Sequence, residues 1–97
     1  MASTKEYRDF ILEQLSILDK VTYKLMMGEY LLYYNDLLFG GIYDDRLLVK
    51  KVDTNKEYEM QESIPYKGAK PMYLVDDVDN QDTLKDIVLD TCRGLKK

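Results

Sequence analysis

The run from Tyr30 to Val52, YLLYYNDLLFGGIYDDRLLVKKV, leaves a chain of this size few folds to choose from. Segments rich in Leu, Tyr, Ile and Val are interrupted at Asn35-Asp36 and again at Asp44-Asp45. Asn and Asp are the non-glycine residues that best tolerate positive φ in tight hairpin turns, so the spacing predicts three antiparallel strands in a meander. Neither pair has the usual Gly in its second position, which weakens the signal for a type I′ turn. With two-residue loops, Leu38 lies opposite Tyr33, Gly40 opposite Leu31 and Val49, and Ile42 opposite Leu47. Side chains alternate across a strand, so one face carries Leu31, Tyr33, Leu38, Ile42, Leu47 and Val49, and this face is assigned to the core. The other face carries Tyr30, Leu32, Tyr34, Leu37, Phe39, Tyr43 and Leu48, with Arg46 and Lys50 near its ends. That face is too apolar for ordinary contact with water, so either more chain covers it or a partner does.

The flanks supply helices. Ser3 and Glu6 stand in the spacing of a capping box, and from there Tyr7, Phe10, Ile11, Leu15 and Leu18 recur at helical steps, predicting a helix over about residues 4 to 19 with Leu12 off its stripe. Val21 to Met27 alternates as a first strand, and Gly28 permits a turn or bulge before the meander. The polar stretch DTNKEYEMQES reads as a loop or one short exposed helix. Pro65 and Pro71 bracket YKGAK as a shaped loop, Met72 to Val75 reads as a last strand, and a second helix spans about 80 to 94. Asp79 or Asn80 caps that helix, Leu84, Ile87, Val88 and Cys92 share one face, and Gly94 terminates it.

Ninety-seven residues suffice for one modest core, so residues 1–97 are read as a single domain. The balance of 14 Lys and Arg against 18 Asp and Glu gives a charge of -4, which repels phosphate backbones and argues against direct nucleic-acid binding. With one cysteine and no histidine, neither an internal disulfide nor the common zinc sites can be built, and neither a metal nor a cofactor is expected. MASTKEYRDF lacks the apolar core of a signal peptide, and no run approaches the roughly 18 to 20 apolar residues of a membrane span, so the expectation is a cytoplasmic protein without a membrane partner.

Three longer segments carry a resemblance: KLMMGEY over 24–30, LFGGIYDDRLLVK over 38–50 and PYKGAKPM over 65–72. Taken together they resemble the N-terminal domain of the TfoX/Sxy competence regulators, through Met27, Gly28, Gly40, Gly41, Gly68, Lys70 and Pro71. The resemblance implies an α+β, two-layer fold like that of secretion chaperones: an antiparallel sheet of about five strands with a central meander, flanked by N- and C-terminal helices. It also implies, as the role the family offers, co-regulation of transcription. The expectation of a non-enzymatic interaction module rests instead on the aromatic second face of the meander and the lack of catalytic residues. In the full-length regulators a helical C-terminal domain follows, and this chain ends at Lys97.

The residues themselves offer a partner-binding set, Tyr30, Leu32, Tyr34, Phe39, Tyr43 and Arg46, because aromatic side chains and Arg are enriched at protein interfaces. The partner is another protein or a second copy, as in a homodimer. The alternative is a small-molecule-binding or enzymatic domain with its pocket at Gly40-Gly41 and the GAKP loop. Asp76, Asp77, Asp79 and Asp82 are explained by complementing a helix dipole. Cys92, on an apolar face with no histidine to activate it, reads as a small hydrophobe rather than a nucleophile.

Overall fold

In the computed structural model, which describes residues 3–96, each of the first three strand connections is a two-residue turn whose residues both hold positive φ. These are Met27-Gly28 (54° and 83°), Asn35-Asp36 (52° and 66°) and Asp44-Asp45 (52° and 55°). Positive φ at both positions is type I′ geometry, whose twist matches that of the strands it joins, so the aspartates serve without the usual glycine. The turns connect β1 (Val21–Met26), β2 (Glu29–Tyr34), β3 (Leu37–Tyr43) and β4 (Arg46–Val49). A 3-10 helix over Asp53–Tyr58 follows, then β5 (Gln61–Ser63) and β6 (Met72–Leu74). All pairings are antiparallel, in a six-stranded sheet of order β1-β2-β3-β4-β6-β5. The additional strand relative to sequence expectation is β5, three polar residues at one edge.

The register corrects the expected core face. Tyr33 lies opposite Leu38, Gly40 opposite Val49 and Ile42 opposite Leu47, as the two-residue loops require. Between β2 and β3, however, the pairing shifts: Leu32, not Leu31, lies opposite Gly40. Phe39 is therefore an extra residue in β3, a β-bulge that inverts the alternation along the strand. Leu37 and Phe39 point to the same side as Ile42, and through pairing so do Tyr30, Leu32 and Tyr34. The main core holds Tyr30, Leu32, Phe39, Ile42, Leu47 and Val49, with Leu37 and Tyr34 packed against it. Leu31, Tyr33 and Leu38, expected inside, are half-buried on the opposite side.

Two helices cover the core side. In α1 (Lys5–Gln14), Ile11 packs into the core together with Leu15 just beyond the helix end, and Tyr7, Phe10, Leu12 and Leu18 flank them. Thr4 rather than Ser3 caps this helix, accepting from the Tyr7 amide at 3.1 Å. Ser3 is used elsewhere: its amide donates to Glu29, its hydroxyl accepts from the Asp45 amide, and the single hydroxyl proton is within reach of both Glu29 Oε1 and the Ile42 carbonyl, tying the start of the chain to the sheet. The helix ends earlier than its stripe suggests, and a turn in which the Leu18 amide donates to the Leu15 carbonyl leads into β1.

The second helix, α2 (Gln81–Leu95), starts as expected, with Asn80 accepting from the Thr83 amide. Leu84, Ile87, Val88 and Cys92 are buried in the core. Gly94 does not terminate it but lies within it, where a Cβ would come 2.5 Å from Thr54 Oγ1 and 2.8 Å from Val52 Cβ. The glycine thus admits the 3-10 segment against the helix. Asn55 fixes that segment from inside, donating to the Lys50 carbonyl and to Thr91 Oγ1 and accepting from the Val52 amide. Among the described residues no helix is long and apolar enough to cross a membrane.

Candidate functional site

With both helices on one side, the other face of the sheet is left to a single loop. Alternation places Leu38, Gly41, Tyr43, Arg46, Leu48 and Lys50 there. The chain between β5 and β6 folds over this face, and Arg46 holds it in place. Its guanidinium donates to the Tyr43 carbonyl at 3.1 Å, to Ser63 Oγ at 2.5 Å and to the Pro65 carbonyl at 3.3 Å. Pro65 is buried, and the Tyr66 ring packs at 6.3 Å from that of Tyr43. The Ala69 amide donates to the Tyr66 carbonyl, closing a turn through Gly68 at φ 88°, a conformation that suits glycine. Gly41 makes room for the aromatic pair: a Cβ there would lie 2.8 Å from the Tyr43 ring.

Loop and sheet enclose a basin of about 630 Å³. Leu38, Pro65, Pro71 and Met72 give it apolar walls, Gly40 and Ala69 open its floor and side, and Tyr43, Tyr66, Lys50, Lys51 and Lys70 contribute polar groups. Among the described residues no carboxylate lines it, in a chain with more acidic than basic residues. Lys51 is engaged, 3.1 Å from Glu62 and stacked over the Tyr73 ring. Among the described residues, no ion pair or hydrogen bond engages the side chains of Lys50 and Lys70. Burial, reinforced by Tyr66 and Glu29, pushes the Tyr43 hydroxyl above the ordinary tyrosine range, so it remains a proton donor at neutral pH. The polar equipment is thus two ammonium groups, unpaired among the described residues, and two tyrosines sharing one basin with apolar walls. Such a set complements an anionic group attached to an apolar body.

The partner-binding set drawn from the sequence is divided by the sheet. Tyr30, Leu32 and Phe39 are buried in the main core and Tyr34 packs against it, because the bulge turns this side toward the helices. Tyr30, Leu32 and Phe39 therefore present almost no surface to a partner, and Tyr34 is half-buried on the helix side, which corrects the sequence expectation of one open aromatic face. Tyr43 lines the basin, and Arg46 builds its wall. Of the family motif residues, Gly40, Lys70 and Pro71 line the basin and Gly68 shapes its loop, whereas Met27 and Gly28 form the distant β1–β2 turn. The pocket expected at Gly40-Gly41 and GAKP is present, with Gly40 rather than Gly41 lining it. Lys51 and Tyr66 were missed, although lysines at 50, 51 and 70 flanking a proline-bracketed loop are a legible signal in an acidic chain.

Other candidates fall away. Cys92 is buried, and burial pushes its thiol up, toward the unreactive form. Among the described residues no group of acidic or thiol side chains converges as a metal site.

An antiparallel sheet with two helices on one face and a lysine-rimmed basin on the other defines a small two-layer α+β domain. The family model of the TfoX N-terminal domain matches residues 13–92, and the chain belongs to that family. It is also similar to a protein of Spirochaeta aurantia described as "Uncharacterized 12.7 kDa protein in trpE 5'region", with 35% identity over 80 residues, covering 80% of this chain and 70% of the relative.

Proposed function

We propose that this domain is a non-enzymatic protein-interaction module that docks an acidic segment of another protein in the basin between β3, β4 and the 64–71 loop. The observation that carries this reading is the charge of the lining: three lysines and, among the described residues, no carboxylate, in a chain of net charge -4. Charge complementarity of this kind selects partners and orients them more than it adds affinity. The basin opens to solvent on one side, which suits side chains projecting from a protein. In this reading any part in transcription is indirect, through contact with another regulator, since the negative whole-molecule field disfavours a phosphate backbone. The absence of histidine and the burial of the one thiol support a binding role over catalysis.

The test is a titration followed by amide and methyl NMR, using a short capped peptide that alternates Glu and Leu. Shifts are expected at Leu38, Tyr43, Tyr66 and Met72, and their absence, or equal shifts with a Lys-Leu peptide, contradicts the proposal. The basin's volume lies within the range of roughly 300 to 1,000 Å³ common to small-ligand sites and favours a second reading, a small aryl carboxylate. The same titration with phenylacetate separates the two: saturable shifts with phenylacetate and none with the peptide establish the second reading.

A further inference from the structure

The edge strand β1 stands apart from the basin and is unusually bare. Five of its six residues are exposed, including Tyr23, Leu25 at 62% and Met26, and nothing pairs with its outer edge among the described residues. The opposite edge, β5, is short and polar, with Glu62 paired to Lys51, which is how sheets ordinarily protect an edge. The hydrogen-bond phase of β1 follows from its pairing. The Asn35 amide donates to the Lys20 carbonyl, and a two-residue turn closes on a hydrogen-bonded pair, Met26 and Glu29. Lys20, Thr22, Lys24 and Met26 therefore bond to β2, leaving the amides and carbonyls of Val21, Tyr23 and Leu25 pointing outward.

We propose that the chain forms a two-fold homodimer in which β1 pairs antiparallel with β1 of a second copy, centred on Tyr23 opposite Tyr23. Charge selects this register. A shift of one pairing step in one direction sets Lys24 against Lys24, and in the other sets Lys24 against Lys20, and like charges directly opposite one another are destabilising. Centred on Tyr23, Lys24 faces Thr22, Lys20 faces Met26, and the whole strand is used. Shape agrees with charge. The same register puts Leu25 opposite Val21 of the second copy, and Val21 borders an apolar groove of about 400 Å³ lined by Leu12, Leu15, Leu18 and Tyr23. Each copy thus offers an exposed leucine to the groove of the other, the self-complementary pattern that a two-fold interface requires.

The experiment is sedimentation velocity on the full chain over a concentration series, with Leu25→Lys compared and its thermal unfolding recorded to show that it remains folded. A reversible dimer is expected, weakened by about tenfold or more in Leu25→Lys. Cysteine placement reads the register. Tyr23→Cys is expected to form a covalent dimer under mild oxidation, because residues in a hydrogen-bonded pair have Cα atoms about 5.5 Å apart. Lys24→Cys, whose twin would lie diagonally at about 7 to 8 Å, is not. A chain that is monomeric throughout, or a dimer indifferent to Leu25→Lys with no cross-link through Tyr23→Cys, overturns the proposal.

Discussion

Replacing Phe39 by alanine separates the two ways of reading the meander. In the structure Phe39 is fully buried among Tyr30, Leu32, Ile42 and the α1 and α2 side chains, with no exposed area. Removing a buried aromatic ring forfeits its transfer free energy and leaves a cavity, at about 3 to 5 kcal/mol. On an open face the same change would cost no more than about 0.5 kcal/mol. A domain of this length has roughly 5 to 15 kcal/mol of stability in all, so the melting temperature should fall by at least about 12 °C. The assay is urea denaturation followed by circular dichroism, with Leu38→Ala alongside. Leu38 is half-buried on the basin side, so its truncation is expected to cost only about 1 kcal/mol. Should Phe39→Ala fail to accumulate, Phe39→Leu, expected to cost about 1 kcal/mol, is compared with the same change's expectation on an open face, no more than about 0.5 kcal/mol. A loss for Phe39→Ala no greater than that for Leu38→Ala refutes the bulge and with it the assignment of faces.

Two further predictions concern the frame around the basin. Gly40→Ala places a Cβ 2.1 Å from the Leu48 carbonyl oxygen and 2.9 Å from Val49 Cα, so β4 itself must move. A loss of about 1 to 3 kcal/mol or more is expected in denaturation. Gly68→Ala meets open space and carries only left-handed strain, about 1 to 2 kcal/mol. Tyr58 donates to Asp90 at 2.5 Å, and burial, together with that bond and charge, raises its hydroxyl well above the ordinary value near 10. A group whose folded pKa exceeds its unfolded value contributes stability below the unfolded pKa and loses it as pH rises through the folded one. Stability should therefore decline above about pH 10. Tyr58→Phe should lower stability at pH 7 by about 1.5 kcal/mol, since Asp90 retains Arg93, and flatten part of that alkaline decline. An unchanged alkaline slope in Tyr58→Phe contradicts the assignment.

Much of the fold is legible because local chemistry and tertiary demand agree. The aspartate and asparagine turns, the Tyr33–Leu38 and Ile42–Leu47 pairings, the Asn80 cap and the apolar stripe of α2 all follow from residue type and spacing. The bulge does not. Phe39-Gly40 fits a regular strand equally well, and only the backbone contact at Gly40 and the helix-side cavity that accepts the Phe39 ring decide that one residue is extra. Because side-chain direction has a period of two, that single insertion moved Tyr30, Leu32, Tyr34 and Phe39 from the supposed open face to the core. Gly94 misled in a similar way, since a helix terminator and a close-packing glycine look alike until Val52 and Thr54 are in place. The basin is half visible in the sequence. Its loop and glycine are marked by the prolines and the Gly40-Gly41 pair, but the convergence of Lys50 and Lys70 depends on β4 and β6 lying side by side.

The most direct test of the central claim is a charge swap measured by isothermal calorimetry. The acidic Glu-Leu peptide and its Lys-Leu counterpart are each titrated into the native chain and into Lys50→Glu/Lys70→Glu, at low and high salt. The native chain should bind the acidic peptide, more weakly as salt screens the contact, and the double variant should bind it about tenfold or more weakly while gaining affinity for the Lys-Leu peptide. Equal affinity of the native chain and the double variant for the acidic peptide would contradict the claim that the lysine-rimmed basin is where this domain meets its partner.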